Sequence, residues 1–346
     1  MIPGNVSTRK RICLVPKFDS LGGMASFQHK LAQGLSSRNI DVSYNLEDEP
    51  YQAVLVIGGT RNLPGLWRVR KKGIRIIQRL NGRNWIHRRR RTGVKHYLRA
   101  EYGNILLSFI RSSFINGMVY QSQFAQTWWE REAGVAPVPA CVIYNGINLV
   151  DYSSDGPHQR PEDHCRLLLV EGSLVGGYEV GLEIAFQLAE KLHEVHHQKI
   201  ELTVVGRVNP DLQKQWKNQA HFPLSFAGKV SRENIPEIDR SAHLLFSADL
   251  NAACPNSVIE ALACGLPVLA FDTGALPELV TGDAGRIISY GSNPWMLEPP
   301  DVDGLARGAL EILANQALFR IGARQRAEAA FSLDNMVEAY LEVLIG

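Results

Sequence analysis

Glu260 stands in the segment Cys254-Pro255-Asn256-Ser257-Val258-Ile259-Glu260-Ala261-Leu262-Ala263-Cys264-Gly265-Leu266-Pro267-Val268. Apolar residues surround it, and a carboxylate among apolar helix neighbours is costly unless it is paired or used. One turn into a helix it is placed to grip a ribose diol; the plain alternative is a structural ion pair. Pro255 marks the start of that short helix and leaves the N–H groups of Asn256 and Ser257 without intrahelical partners, which suits a phosphate. A second candidate is the loop Asp19-Ser20-Leu21-Gly22-Gly23. Glycines opening a helix after a strand allow close backbone approach to an anion. A tight strand-to-helix turn reads the same way, and no GxGxxG dinucleotide fingerprint is present.

The elements that must position these residues follow a regular grammar. Short apolar runs at 11–16, 53–57, 74–77 and 117–120 read as buried strands, and Met24, Phe27, Leu31 and Leu35 recur at helical spacing. The second half repeats it, with strands at 166–170, 200–205, 224–227, 242–247 and 267–271 and helices at 181–192, 258–263, 305–314 and 334–344. Alternating strands and helices imply parallel sheets covered on both faces. Ser, Asp, Gly, Pro and His cluster at 151–163, a linker composition. The expectation is α/β, with two tandem Rossmann-like doubly wound domains, 1–160 and 161–346, facing across a cleft. The last helix is placed to cross back to the first domain. Ligands in such sheets bind at the carboxyl ends of strands.

Composition narrows the function classes. The chain has 346 residues and a net charge of +2, but residues 1–160 hold 23 Lys/Arg against 10 Asp/Glu, and the rest hold 14 against 25. A basic first half suits an anionic partner. Five scattered cysteines without CxxC spacing argue against a disulfide framework or a zinc site and suit a reducing cytoplasm. The first ten residues lack an apolar signal core, and no window reaches the roughly 18 apolar residues of a membrane span. Arg88 to Arg91, with Arg83, Lys95 and Arg99, form a dense basic run interleaved with Trp85, Tyr97 and Tyr102 and followed by the apolar stretch 105–115. Such a segment suits an anionic membrane surface. A nucleic-acid-binding reading rests on this run alone, and a solvated loop is the plain alternative. Trp128 and Trp129 read as helix packing.

The segment around Glu260 resembles the retaining, nucleotide-sugar-dependent glycosyltransferases of family 4, which have the GT-B fold. Glu260 matches the second Glu of their paired-Glu motif, and Ala261 to Val268 match the AxAxGxPV that follows. Gly274 to Glu278 (GALPE) stand where a later Gly-x-x-Glu is found, with one more residue between Gly and Glu. Gly22-Gly23, Gln121 to Phe124, Tyr144 to Asn148 and Phe226 to Val230 match further pieces in the expected order, so the resemblance spans nearly the whole chain. It implies that Glu260 binds the donor ribose. It implies that Gly22, Gly23, Asn256 and Ser257 hold the diphosphate, and that Lys229 and Val230 line the base pocket.

Three departures stand out. Ala252 occupies the position of the first Glu. The family's Arg and Lys that neutralise the leaving diphosphate are replaced by Ser173 and about Gly176, and Glu171 makes that corner more acidic. Loss of leaving-group stabilisation removes a major catalytic term. Arg207 is a candidate substitute, with a surface Arg as the alternative. Gln78-Arg79-Leu80-Asn81-Gly82 resembles the acceptor-side loop of some relatives, with Asn81 where an acid or His stands. Asn81 cannot act as a base, but with Arg79 it can hydrogen-bond acceptor or phosphate.

The resemblance therefore implies transfer of a sugar from a UDP- or GDP-sugar to a glycan or glycolipid, with retention of configuration. Arg79, Asn81 and Ser173 would serve at the reacting centre. Gly22, Gly23, Arg207, Lys229, Val230, Asn256, Ser257 and Glu260 would hold the donor. Neither metal nor cofactor is required on this reading, and the implied place is cytoplasmic, peripheral on the inner face of the membrane. The rival reading is a non-catalytic sugar-nucleotide or glycan-binding protein on the same fold.

Overall fold

The computed structural model describes residues 10–19, 22–175 and 179–346. Ser20, Leu21 and Gly176, named above, lie outside them. The first half runs β1 (Arg11–Val15), α1 (Gly23–Ser36), β2 (Asp41–Ser43), β3 (Ala53–Ile57), α2 (Leu63–Lys71), β4 (Arg75–Leu80), α3 (Val94–Ser113), β5 (Gly117–Tyr120), α4 (Gln123–Ala133) and β6 (Ala140–Val142). The second runs β7 (Cys165–Ser173), α5 (Glu179–Glu194), β8 (Ile200–Arg207), α6 (Pro210–Gln219), β9 (Leu224–Gly228), α7 (Ile235–Ser241), β10 (Leu244–Ser247), α8 (Asn256–Ala263), β11 (Val268–Phe271), α9 (Leu276–Leu279) and β12 (Gly285–Ile288). Helices α10 (Val302–Ala314), α11 (Gln316–Ala330) and α12 (Leu333–Ile345) close the chain.

The strands form two six-stranded parallel sheets, ordered β2-β1-β3-β4-β5-β6 and β12-β11-β10-β7-β8-β9. Strands β3 and β5 lack charged residues along their whole length because helices cover both faces, and every residue of each is buried. In the first sheet the order reverses between β1 and β3, and in the second between β7 and β10. These two switch points are where doubly wound sheets open a crevice for ligands, and their following loops carry Gly22-Gly23 and the start of α8.

The last helix packs back on the first domain. Met336, Val337, Tyr340 and Leu344 of α12 join Ile12, Phe27 and Leu31 in one buried cluster. Gly34 permits this approach, since a Cβ there would lie 2.4 Å from Cγ2 of Val337. The two chain crossings between domains are stitched together: Ile147 N–H donates to Phe331 O at 2.8 Å, and Leu333 N–H donates to Ile147 O at 2.9 Å. Among the described residues no helix is long and apolar enough to cross a membrane.

Candidate active site

The two switch points face each other. Gly22 precedes α1 in an extended conformation, and no side chain caps that helix. Pro255 precedes α8, again with no side-chain cap. A Cβ built on Gly23 would stand 3.8 Å from Nδ2 of Asn256, so the two uncapped helix starts meet across the cleft. Each carries free N–H groups and the positive end of its helix dipole, which together favour an anion.

Glu260 has a partner from the other domain. Lys30 Nζ, on α1, lies 3.3 Å from Glu260 Oε1, with the side chains 13% and 14% exposed. The same ammonium sits 5.8 Å from the centre of the Tyr152 ring. The ion pair anticipated as the plain alternative is thus present, and it lies in the cleft beside the start of α8. No local feature of the sequence marks Lys30; it is simply a polar residue on a helix.

Arg79 is buried, and its guanidinium stacks 3.6 Å from the Phe27 ring centre. Nη2 donates to Asn145 Oδ1 at 2.7 Å, and Asn145 Nδ2 donates onward to Cys254 O at 3.1 Å and Asn256 Oδ1 at 3.0 Å. In this conformation Arg79 therefore reaches the cleft through Asn145 and does not open onto an acceptor itself. Burial pulls its guanidinium below the usual arginine range. Asn81 Oδ1 accepts from Arg79 Nη1 at 3.4 Å, while its carbonyl accepts from Trp129 Nε1 at 2.6 Å. Asn81 is thus held in its turn from both ends.

On the second domain, Ser173 ends β7 opposite Arg207 at the end of β8. Arg207 Nη2 donates to Ser173 Oγ at 3.3 Å. The structure thus places an exposed guanidinium beside the position from which the resemblance loses its Arg. Lys229 and Val230 follow β9 on its carboxyl side, Val230 packed on the core and Lys229 exposed. Ala252 is buried under the next loop, its carbonyl accepting from Ala275 N–H at 2.8 Å. Gly274 makes that packing possible: its φ is +61°, and a Cβ would fall 2.6 Å from Ala252 N and O. Nearby, Ser247 Oγ, Asn251 Nδ2 and Thr273 Oγ1 are buried without a partner among the described residues. Orphaned polar atoms of this kind call for a water or a polar ligand.

Glu171 on β7 and Asp249 after β10 meet at the second switch point. Burial, and then the charge of Asp249, push the Glu171 carboxyl well above its usual range. Burial pushes Asp249 up to about 6. A carboxyl with a raised folded-state pKa favours the fold below its unfolded pKa and loses that contribution as pH rises through the folded value. Asp249→Asn should therefore melt several degrees above the wild type at pH 8, and the gain should shrink toward pH 5. A gain that is absent, or equal at both pH values, would dissociate Asp249 from this effect.

Two interdomain contacts were not foreseen. Glu278 on α9 accepts from Phe124 N–H at 2.6 Å, Gln123 N–H at 2.9 Å and Tyr144 Oη–H at 3.0 Å. It places a carboxylate at the start of α4, where the dipole favours one. Trp295 packs between Trp128 and Trp85, with ring centres 4.9 and 5.1 Å away. Glu278 lay within a matched motif; Trp295 carried no signal. The basic run is not one free surface. Arg88 engages Glu101 at 2.6 and 2.8 Å, and Arg90 lies 3.8 Å from Glu183 of the other domain. Among the described residues no cluster of three or more His, Cys, Asp or Glu is placed to hold a metal ion.

Residues 166–315 match the model of group 1 glycosyl transferases. The second domain is thus similar to the domain of that family. An uncharacterized glycosyltransferase of Methanocaldococcus jannaschii is 22% identical over 215 residues, 58% of this chain and 53% of that one. The alignment thus spans about half the length of this curated relative. Among solved structures, sucrose-phosphate synthase of Thermosynechococcus elongatus is similar at 16% identity and TM-score 0.72, over 97% of this chain and 98% of that one. Anabaena HepE, solved with UDP and glucose, is similar at 16% identity and TM-score 0.67, over 97% and 99%. These likenesses establish the GT-B fold, two Rossmann-like domains, for this chain.

Proposed function

We propose that this protein is a glycosyltransferase that moves a sugar from a nucleoside-diphosphate sugar to a glycan or glycolipid, retaining the anomeric configuration. The observation that carries the reading is the meeting of two uncapped helix starts, α1 and α8, beside Glu260. The diphosphate would sit between them, the ribose on Glu260, the base near Lys229 and Val230. The sugar would lie toward the orphaned Ser247, Asn251 and Thr273. Arg207 beside Ser173 would stabilise charge on the departing diphosphate. The bond from the anomeric carbon to phosphate oxygen breaks, the acceptor oxygen bonds on the same face, and its proton passes to the departing phosphate. Asn81 would orient the acceptor, with Arg79 acting through Asn145. The acceptor would lie on the basic first domain, the protein being cytoplasmic and peripheral on the inner membrane face.

A non-catalytic binder on the same fold is favoured by one observation: Ala252 is buried where a donor-touching Glu would stand. Thermal stabilisation against UDP, GDP and their sugars, with and without magnesium, tests the donor assignment. A ligand present at about 100 times its Kd adds roughly 2.7 kcal/mol. A shift with one base and one sugar identifies the donor, and transfer to acceptor then separates enzyme from binder. No shift with any of them removes the nucleotide-sugar reading.

A further inference from the structure

Helix α3 is apolar on two faces, Leu106, Leu107 and Ile110 packing on the core of the first domain. Ala100, Asn104, Ile110 and Arg111 face inward, whereas Val94, Leu98 and Ile105 are 76%, 62% and 67% exposed. Tyr102 and Phe109 are exposed on the same side. At 100° per residue these five positions fall within an arc of about 80°, and they run along roughly 22 Å of helix. A contiguous outward apolar stripe on a helix marks an interaction surface.

The charge around it says what covers it. Lys95 and Arg99 stand beside the stripe, Arg89 and Arg91 just before the helix, and Arg61 lies 5.8 Å from the Tyr102 ring centre. From residue 50 to residue 129 there are 15 Lys/Arg and one acid, Glu101. That acid is already engaged by Arg88 and His87. Among the described residues no carboxylate pairs with Arg89, Arg91, Lys95 or Arg99. A second copy of this chain docked about a two-fold axis would set like charge against like. An anionic surface with an apolar layer beneath satisfies both halves of the pattern.

We propose that α3 is the element by which this protein sits on an anionic lipid bilayer. Val94, Leu98, Tyr102, Ile105 and Phe109 enter the boundary between headgroups and acyl chains, and Lys95 and Arg99 engage lipid phosphates. This deepens the glycolipid-acceptor reading and rests on it for the nature of the surface. It moves the contact from the arginine run, half of which is paired, to the helix that follows.

The test is flotation of the full chain with phosphatidylcholine vesicles, with and without phosphatidylglycerol. Wild type should float only with the anionic vesicles, and less as salt rises. Leu98→Ser with Ile105→Ser should lower partitioning by about tenfold or more, as loss of two buried apolar side chains implies. Lys95→Glu with Arg99→Glu should remove the preference for anionic vesicles. All four side chains are exposed, so melting temperature and stabilisation by UDP or GDP should stay at wild-type values. Absence of wild-type binding at low salt, or equal binding by the variants, overturns the proposal. So does light scattering that shows a dimer broken by Ile105→Ser. Vesicle binding that depends on α3, with no stabilisation by any nucleotide, supports the surface while removing the glycosyl-transfer reading.

Discussion

Glu260→Ala should weaken binding of the nucleoside diphosphate on the order of a hundredfold while the chain stays folded. A carboxylate on a ribose diol makes two charge-assisted hydrogen bonds, each contributing about 1.5–3 kcal/mol, and 1.4 kcal/mol corresponds to about tenfold in Kd. Against this stands the Lys30 contact at 3.3 Å, which the substitution also removes. Both side chains are mostly buried, so leaving Lys30 unpaired costs on the order of 3 kcal/mol; that lowers the melting temperature but is less than the roughly 5–15 kcal/mol that holds a folded protein together. Lys30→Met separates the two roles. It frees the carboxylate and should leave donor affinity within a few-fold of wild type or tighten it. Calorimetry that finds Glu260→Ala unchanged would end the ribose assignment. If Lys30→Met weakened the donor as much as Glu260→Ala, the ion pair would be what positions it.

Glu278→Ala should both destabilise the protein and loosen the contact between its domains. The carboxylate accepts two backbone N–H groups at the start of α4 and the Tyr144 hydroxyl. Hydrogen bonds to a charged group, set at a helix start, support an estimate of about 3 kcal/mol for the cluster. Ser122 still caps Ala125 N–H at 3.0 Å, so α4 itself should persist. The expected result is a melting temperature lower by several degrees and a larger radius of gyration in solution scattering. Glu278→Gln, which keeps one acceptor oxygen without the charge, should recover part of both. An unchanged radius would assign the closed arrangement to the Trp295 cluster and to α12.

The buried strands were legible because their cause is local. A strand covered on both faces is mostly apolar, and the runs at 11–16 and 53–57 became β1 and β3. Short edge strands β2, β6 and β12 carried too few residues for a period to show. Helix α3 escaped for the opposite reason: apolar residues on both of its faces erase the amphipathic signal. Arg111, the one charged residue in the apolar stretch 105–115, is buried and donates to the carbonyls of Ala133 and Gly134 at the end of α4. The basic run looked uniform because its neighbours in sequence are all alike. The tertiary structure divides it, sending Arg88 to Glu101 and Arg90 to the other domain.

Read alone, the sequence already held the two-sheet α/β architecture, the loops bearing Gly22-Gly23 and Asn256-Ser257, and Glu260 as the acid most in need of a partner. Those features follow from residues within a turn or two of one another, where periodicity, glycine and helix-start chemistry act. What that partner is in the closed molecule was decided only by tertiary structure. Lys30 lies 230 residues away in sequence, and Arg79 reaches α8 only through Asn145. Such contacts depend on how the two domains face each other. That arrangement is set by α12 crossing back, by the stitched chain crossings and by Glu278 on α4, and no local pattern encodes the juxtaposition.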